Sequence, residues 1–260
     1  MSDYNDNDIA FQFLLANVQS IKSKEYILRD ELNKNNATFA VITKTWVRND
    51  DVAWVECSQF NTDGYKFVTA NRRNRKCDGL ALIYNEENTV KIIQSDQKRS
   101  FEYPVCSIVI NSNTVTVAMI YRQAYLKKKP ITSSMCIHDL AQFLQDILTE
   151  YKNIVILGYL KLHPETDDPD AMVCSDIVDP MGFIPRFNIP THKAGHTLYQ
   201  VYTVLDGQVT ISECWQGLLL SDHVVRECRA LIPRNSTITK TVTSRKLKII
   251  DCILHERLQI

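Results

Sequence analysis

The stretch "NIVILGYLKLH", residues 153–163, places a short buried strand directly before a loop. Ile154, Val155, Ile156 and Leu157 form a continuous apolar run closed by Gly158, the pattern of a central strand ending at the rim of a sheet. Such rims are common sites for chemistry. Here the residues delivered to the rim are Tyr159, Leu160, Lys161 and Leu162, a phenol and an ammonium, with no carboxylate before Glu165.

Around this strand the chain reads as β-rich α/β. Further strand candidates are "FQFLLA" (11–16), "TFAVIT" (38–43), "GLALIY" (79–84), "VKIIQ" (90–94), "VCSIVI" (105–110), "TVTVAMIY" (114–121) and "YQVYTV" (199–204). The clearest helix precedes residue 153: Ile137, Leu140, Ala141, Leu144, Ile147, Leu148 and Tyr151 recur at helical spacing, with Thr132 or Ser133 as its cap. A weaker helix is predicted over 20–34. Few helices against many strands predict a layered sandwich with helices on its outer faces.

The 260 residues suit one large domain, and 30 basic residues balance 30 acidic ones, so net charge selects no partner. The distribution is uneven. Residues 1–10 form an acidic, polar tail, and from Arg226 to Ile260 eight Arg or Lys face three Asp or Glu. The eight cysteines are widely spaced, with no C-x-x-C pair, so no disulfide framework or zinc knuckle is expected. No signal core or membrane-length apolar run is read, and an intracellular setting, nuclear or cytoplasmic, with the cysteines as small core residues is expected.

Seven stretches then occur in order: "LLANVQSI" (14–21), "ITKTW" (42–46), "DGLALIY" (78–84), "AMIYRQ" (118–123), "VILGYLKLH" (155–163), "PTHKAGHTLYQV" (190–201) and "LLLSDH" (218–223). Together they resemble the endonuclease/exonuclease/phosphatase superfamily, and within it the apurinic-endonuclease-like domain of non-LTR retrotransposons. The resemblance implies a DNase I-like four-layer α/β sandwich over residues 11–230. Residues 231–260 resemble the start of a linker that in such elements leads to a reverse transcriptase, which is missing here.

The family's chemistry is Mg²⁺-assisted phosphodiester hydrolysis, which depends on carboxylates for the metal and for activating water. The resemblance implies that Asn17, Tyr121, Asp222 and His223 retain family positions, and that Arg122 stands beside the scissile phosphate. His163 is also retained. Lys44 stands where the family has its metal-binding Glu, Tyr159 where it has the water-activating Asp, Lys161 where it has the transition-state Asn, and Tyr199 where it has the Asp that orients the catalytic His. These groups act as a unit, so their joint loss predicts a pseudoenzyme with no cofactor and no assigned metal ligands. Lys44, Lys161 and Arg122 would then form a phosphate-binding pocket, with DNA or another nucleic acid as the partner and no membrane association. The alternative is a weakly active Mg²⁺-dependent endonuclease in which Glu102 or Asp78 replaces the lost ligands.

Smaller features carry bland readings beside the sharper ones. His196 and His223 can be structural histidines, and Trp46 and Trp215 packing residues. The cluster Lys66, Arg72, Arg73, Arg75 and Lys76 reads as a solvated loop or as a phosphate-contacting patch. Lys127, Lys128 and Lys129 read as solvent-exposed.

Overall fold

Strand β1, Asp8–Asn17, begins the fold and lies at the centre of a six-stranded sheet. The structure, a computed structural model, describes residues 8–47, 64–70, 79–122, 132–160, 169–186 and 189–234. The elements that follow are α1 (Glu25–Lys34), β2 (Phe39–Thr43), β3 (Tyr65–Ala70), β4 (Leu80–Asn85), β5 (Thr89–Gln97), β6 (Phe101–Ile110) and β7 (Asn113–Arg122). After them come α2 (Ser133–Glu150), β8 (Ile154–Tyr159), α3 (Pro169–Val178), β9 (Phe183–Pro185), β10 (Tyr199–Val204), β11 (Thr210–Leu219) and β12 (Val224–Pro233).

The strands form two sheets of order β11-β12-β1-β2-β4-β3 and β5-β6-β7-β8-β10-β9. Each sheet has one parallel pair at its middle, β1 with β2 and β7 with β8. A parallel pair needs a crossover, and helices α1 and α2 supply them. Thr132 caps α2 by accepting a hydrogen bond from the Met135 N–H at 3.2 Å, as the sequence spacing suggests.

Alternation along the strands separates three apolar layers. Phe11, Phe13 and Leu15 of β1 meet Val155, Leu157 and Tyr159 of β8 between the sheets. Leu14 and Ala16 face α1, whereas Ile154, Ile156 and Leu160 pack under α2 and α3. Because β8 is covered on both faces it reads as a continuous apolar run rather than an alternating one. Helix, sheet, sheet and helix make the four-layer α/β sandwich.

Several elements differ from the sequence reading. The first helix begins at Glu25 rather than at residue 20, because Gln19 and Ser20 take left-handed φ values of 46° and 91° and turn the chain. Strands β11 and β12 carry Glu213, Arg226, Glu227 and Arg229, which break the apolar pattern, β3 carries Lys66, and β9 has only three residues. Helix α3 has weak amphipathicity and starts on Pro169, a favoured first helical residue. The predicted tails 1–10 and 231–260 are partly strand, because residues 8–10 belong to β1 and residues 231–233 to β12, where they pair in register. Residues 1–7 and 235–260, Asp78, Lys161, His163, the Arg72–Lys76 cluster and the Lys127–Lys129 run lie outside the described residues.

Candidate functional site

Strand registry brings the candidate residues to one end of the inter-sheet layer. Asn17 closes β1 and pairs with Thr43, so Lys44 leaves β2 beside it. In the other sheet Tyr159, the last residue of β8, pairs with Tyr121 on one side and Tyr199 on the other. The β11–β12 hairpin turns at Leu220–His223 and lays Asp222 and His223 against both sheets. It is fastened by Ser221, whose hydroxyl donates to the Asn17 carbonyl at 2.8 Å.

The three tyrosines extend the core into this end. Tyr121 and Tyr159 stack at 5.7 Å, Tyr199 meets the Tyr159 ring edge-on at 5.7 Å, and His223 packs 5.3 Å from Tyr159 and 5.7 Å from Tyr199. Tyr159 is 3 % exposed and Tyr199 fully buried. The Tyr159 hydroxyl lies 3.3 Å from His223 Nε2, within hydrogen-bond distance. Burial, followed by the Asp222 carboxylate, pushes the Tyr159 phenol far above its ordinary range, and burial does the same to Tyr199. Both stay neutral near pH 7. A neutral phenol neither accepts a proton from water nor offers a metal an anionic oxygen.

Above the rings, Lys44 Nζ sits 5.6 Å from the Tyr159 ring centre, a cation–π contact, and is half-buried. Its own backbone is left-handed, with φ 53°, and so is that of Trp46, with φ 57°. The loop holds because Ser20 N–H and Ile21 N–H donate to the Lys44 and Thr45 carbonyls, each at 3.0 Å. Gly79 has φ 116°, and a Cβ there would stand 2.5 Å from Thr45 Oγ1. Gly79→Ala is therefore expected to cost about 1–3 kcal/mol, measured by chemical denaturation, because it adds backbone strain and a clash together.

Asp222 brings a carboxylate to this end of the layer. Gln19 Nε2 donates to its Oδ1 at 2.5 Å, while His192 Nε2 and His223 Nε2 lie 3.5 and 3.6 Å from its oxygens. Burial alone would raise its pKa, but His223, the Gln19 amide and Lys44 outweigh burial and hold it below the ordinary value. A depressed folded-state pKa contributes stability above the unfolded value of about 4 and loses it as pH falls through the folded one. Asp222→Asn is expected to lower the urea midpoint at pH 7, with the difference from wild type shrinking by pH 3.

His192, Asp222 and His223 bring their donor atoms within 4.8 Å of one another. Two imidazoles and one carboxylate make a softer set than the oxygen shell Mg²⁺ prefers. The Ala194 N–H donates to His192 Nδ1 at 3.1 Å, which places the neutral ring's proton on Nε2, facing Asp222. Glu102 is buried and pairs with Tyr121 across β6 and β7, so it shares the inner face but is not in this group.

Arg122 braces the scaffold. Its guanidinium donates to the Leu160 carbonyl at 3.2 Å and the Ser133 hydroxyl at 2.9 Å, tying the exit of β8 to α2. The Asn17 side chain is 1 % exposed, and neither polar atom of its amide has a hydrogen-bond partner among the described residues. Sequence reading missed Gln19, His192 and Arg226. Arg226, fully buried, donates to the Ile189 and Pro190 carbonyls and so braces the segment leading to His192. An arginine directly after the apolar pair Val224–Val225 was the available signal. His196 is half-buried 6.3 Å from His192, and Trp215 donates its indole N–H to Glu227.

This is the fold of the endonuclease/exonuclease/phosphatase superfamily, a DNase I-like sandwich. The endonuclease domain of TRAS1, a telomere-specific non-LTR retrotransposon, is similar, with a TM-score of 0.63 and 14 % identity over 87 % of this chain and all of that one. An AP endonuclease from Archaeoglobus fulgidus matches with a TM-score of 0.61 and 16 % identity over 84 % of this chain and 98 % of that one. TDP2 from D. rerio, complexed with a single-strand DNA product, matches with a TM-score of 0.61 and 11 % identity over 85 % of this chain and 98 % of that one. No protein-family model and no curated protein matches the sequence. No helix among the described residues is long and apolar enough to cross a membrane.

Proposed function

We propose that this chain is a retrotransposon-derived nuclease-like domain that has lost metal-dependent phosphodiester hydrolysis and binds nucleic-acid backbone at the mouth of its former active site. The observation that carries this reading is the aromatic plug of Tyr121, Tyr159 and Tyr199. It fills the depth of the pocket with neutral rings and engages His223 Nε2 with a phenol. Hydrolysis needs a metal-held phosphate and an activated water in line with the leaving oxygen. Among the described residues, the donor set His192, Asp222 and His223 does not fit Mg²⁺.

Lys44 supplies a tethered cation where the resemblance implies a metal-binding acid. An ammonium on a half-buried stem suits a phosphate oxygen as a point charge. Lys161 is assigned to the same mouth by the resemblance. The likeness to DNA-processing enzymes of the same fold supports a nucleic acid as the partner.

Fluorescence anisotropy of a labelled DNA duplex in EDTA tests this reading. Binding that persists without divalent metal and weakens steeply between low and moderate salt is expected. Absence of EDTA-resistant binding at low salt would leave an inert fold and sink the proposal.

A further inference from the structure

Cys214 on β11 and Cys228 on β12 face each other directly in the antiparallel register, and their Sγ atoms are 2.8 Å apart. Facing residues of an antiparallel pair have Cα atoms about 4.5 or 5.5 Å apart, and both spacings fall within the span a disulfide bridges. Both residues are free thiols. Cys228 is fully buried, whereas Cys214 is half-buried on β11, an edge strand, where it packs against the rim of the inter-sheet core. Cys214 is therefore the more exposed of the two and Cys228 the more buried, the order suited to an attacking and a resolving cysteine.

We propose that Cys214 and Cys228 form a reversible disulfide when the protein meets a low-molecular-weight disulfide such as oxidised glutathione, closing the hairpin that carries Asp222 and His223. The Cys214 thiolate attacks one glutathione sulfur, forming a mixed disulfide and expelling the other half as a thiolate, which takes up the proton Cys214 gave up. Cys228 loses its proton and attacks the Cys214 sulfur, and the second glutathione leaves, so two protein thiols are oxidised as one disulfide is reduced to two thiols. Burial raises the Cys228 pKa, and the hydrogen bond to Cys214 adds to it, so the second step is the slower one. The bridge spans the Leu220–His223 turn and links the strands on either side of it, so it restrains the loop that Ser221 fastens to Asn17.

The test is incubation of the folded protein with oxidised glutathione, acid quench, alkylation under denaturing conditions and peptide mapping by mass spectrometry. Alkylation at Cys214 and Cys228 is expected to disappear together, a peptide linking them to appear, and dithiothreitol to restore both. The core thiols Cys106, Cys136 and Cys174 should remain fully alkylated. In Cys214→Ser the linked peptide is expected to be absent and Cys228 to stay alkylated. Retained alkylation at both positions in the wild type, or glutathione left on Cys214 with Cys228 free at equilibrium, overturns the proposal. The wild-type map decides the matter even if Cys214→Ser fails to fold.

Discussion

Truncating Tyr159 to alanine is expected to lower the unfolding free energy by about 3–5 kcal/mol, the range for emptying a buried aromatic site. At this chain length that is a drop of roughly 6–20 °C in the melting midpoint. The size follows from its place in the fold. The ring is 3 % exposed, stacks on Tyr121, meets Tyr199 and His223, and continues the same inter-sheet layer as Val155 and Leu157. Tyr159→Asp should fare no better, because it leaves a buried carboxylate against Tyr121 and Tyr199. Calorimetry gives the comparison, and a loss below about 1 kcal/mol would mean that the ring does not fill the pocket.

Charge reversal at Lys44 is the second large effect. Lys44→Glu is expected to weaken duplex binding by about tenfold at low salt and to flatten the salt slope by about 1 or more, since one phosphate contact is lost and a like charge gained. Lys44→Met keeps the stem and should lower the slope without the added repulsion. The substitution also removes a cation that stabilises the Asp222 carboxylate, so Asp222 should titrate at higher pH in the Glu variant. Duplex affinity measured at several salt concentrations tests both variants, and unchanged slopes would place the bound phosphate elsewhere.

Much of this was legible because the layers of the fold impose simple patterns. The double-faced run Ile154–Leu157, the amphipathic helix ending near Tyr151 and the ordered short motifs all reflect burial, which composition records directly. The convergence of Asn17, Lys44, Tyr159, Tyr199, Asp222 and His223 followed from placing those motifs at strand ends. Contacts set by three-dimensional register were not legible. Gln19 reaches Asp222 across 203 positions, Arg226 braces the segment before His192 from inside a strand, and the phosphate-side role assigned to Arg122 meets a guanidinium bonded to Leu160 and Ser133. The left-handed backbone at Lys44 and Trp46 likewise has no sequence mark, because neither residue type favours it.

The central proposal is that the tyrosine rings at this end of the sandwich leave the chain without metal-dependent phosphodiester hydrolysis. The most direct measurement is nicking of supercoiled plasmid by excess protein in Mg²⁺ and in Mn²⁺, followed to complete conversion of a control nuclease. The expected result is a relaxation rate equal to that of protein-free buffer, alongside EDTA-resistant duplex binding by the same preparation. Nicking that requires the metal, stops with EDTA and is lost in His223→Ala would contradict it.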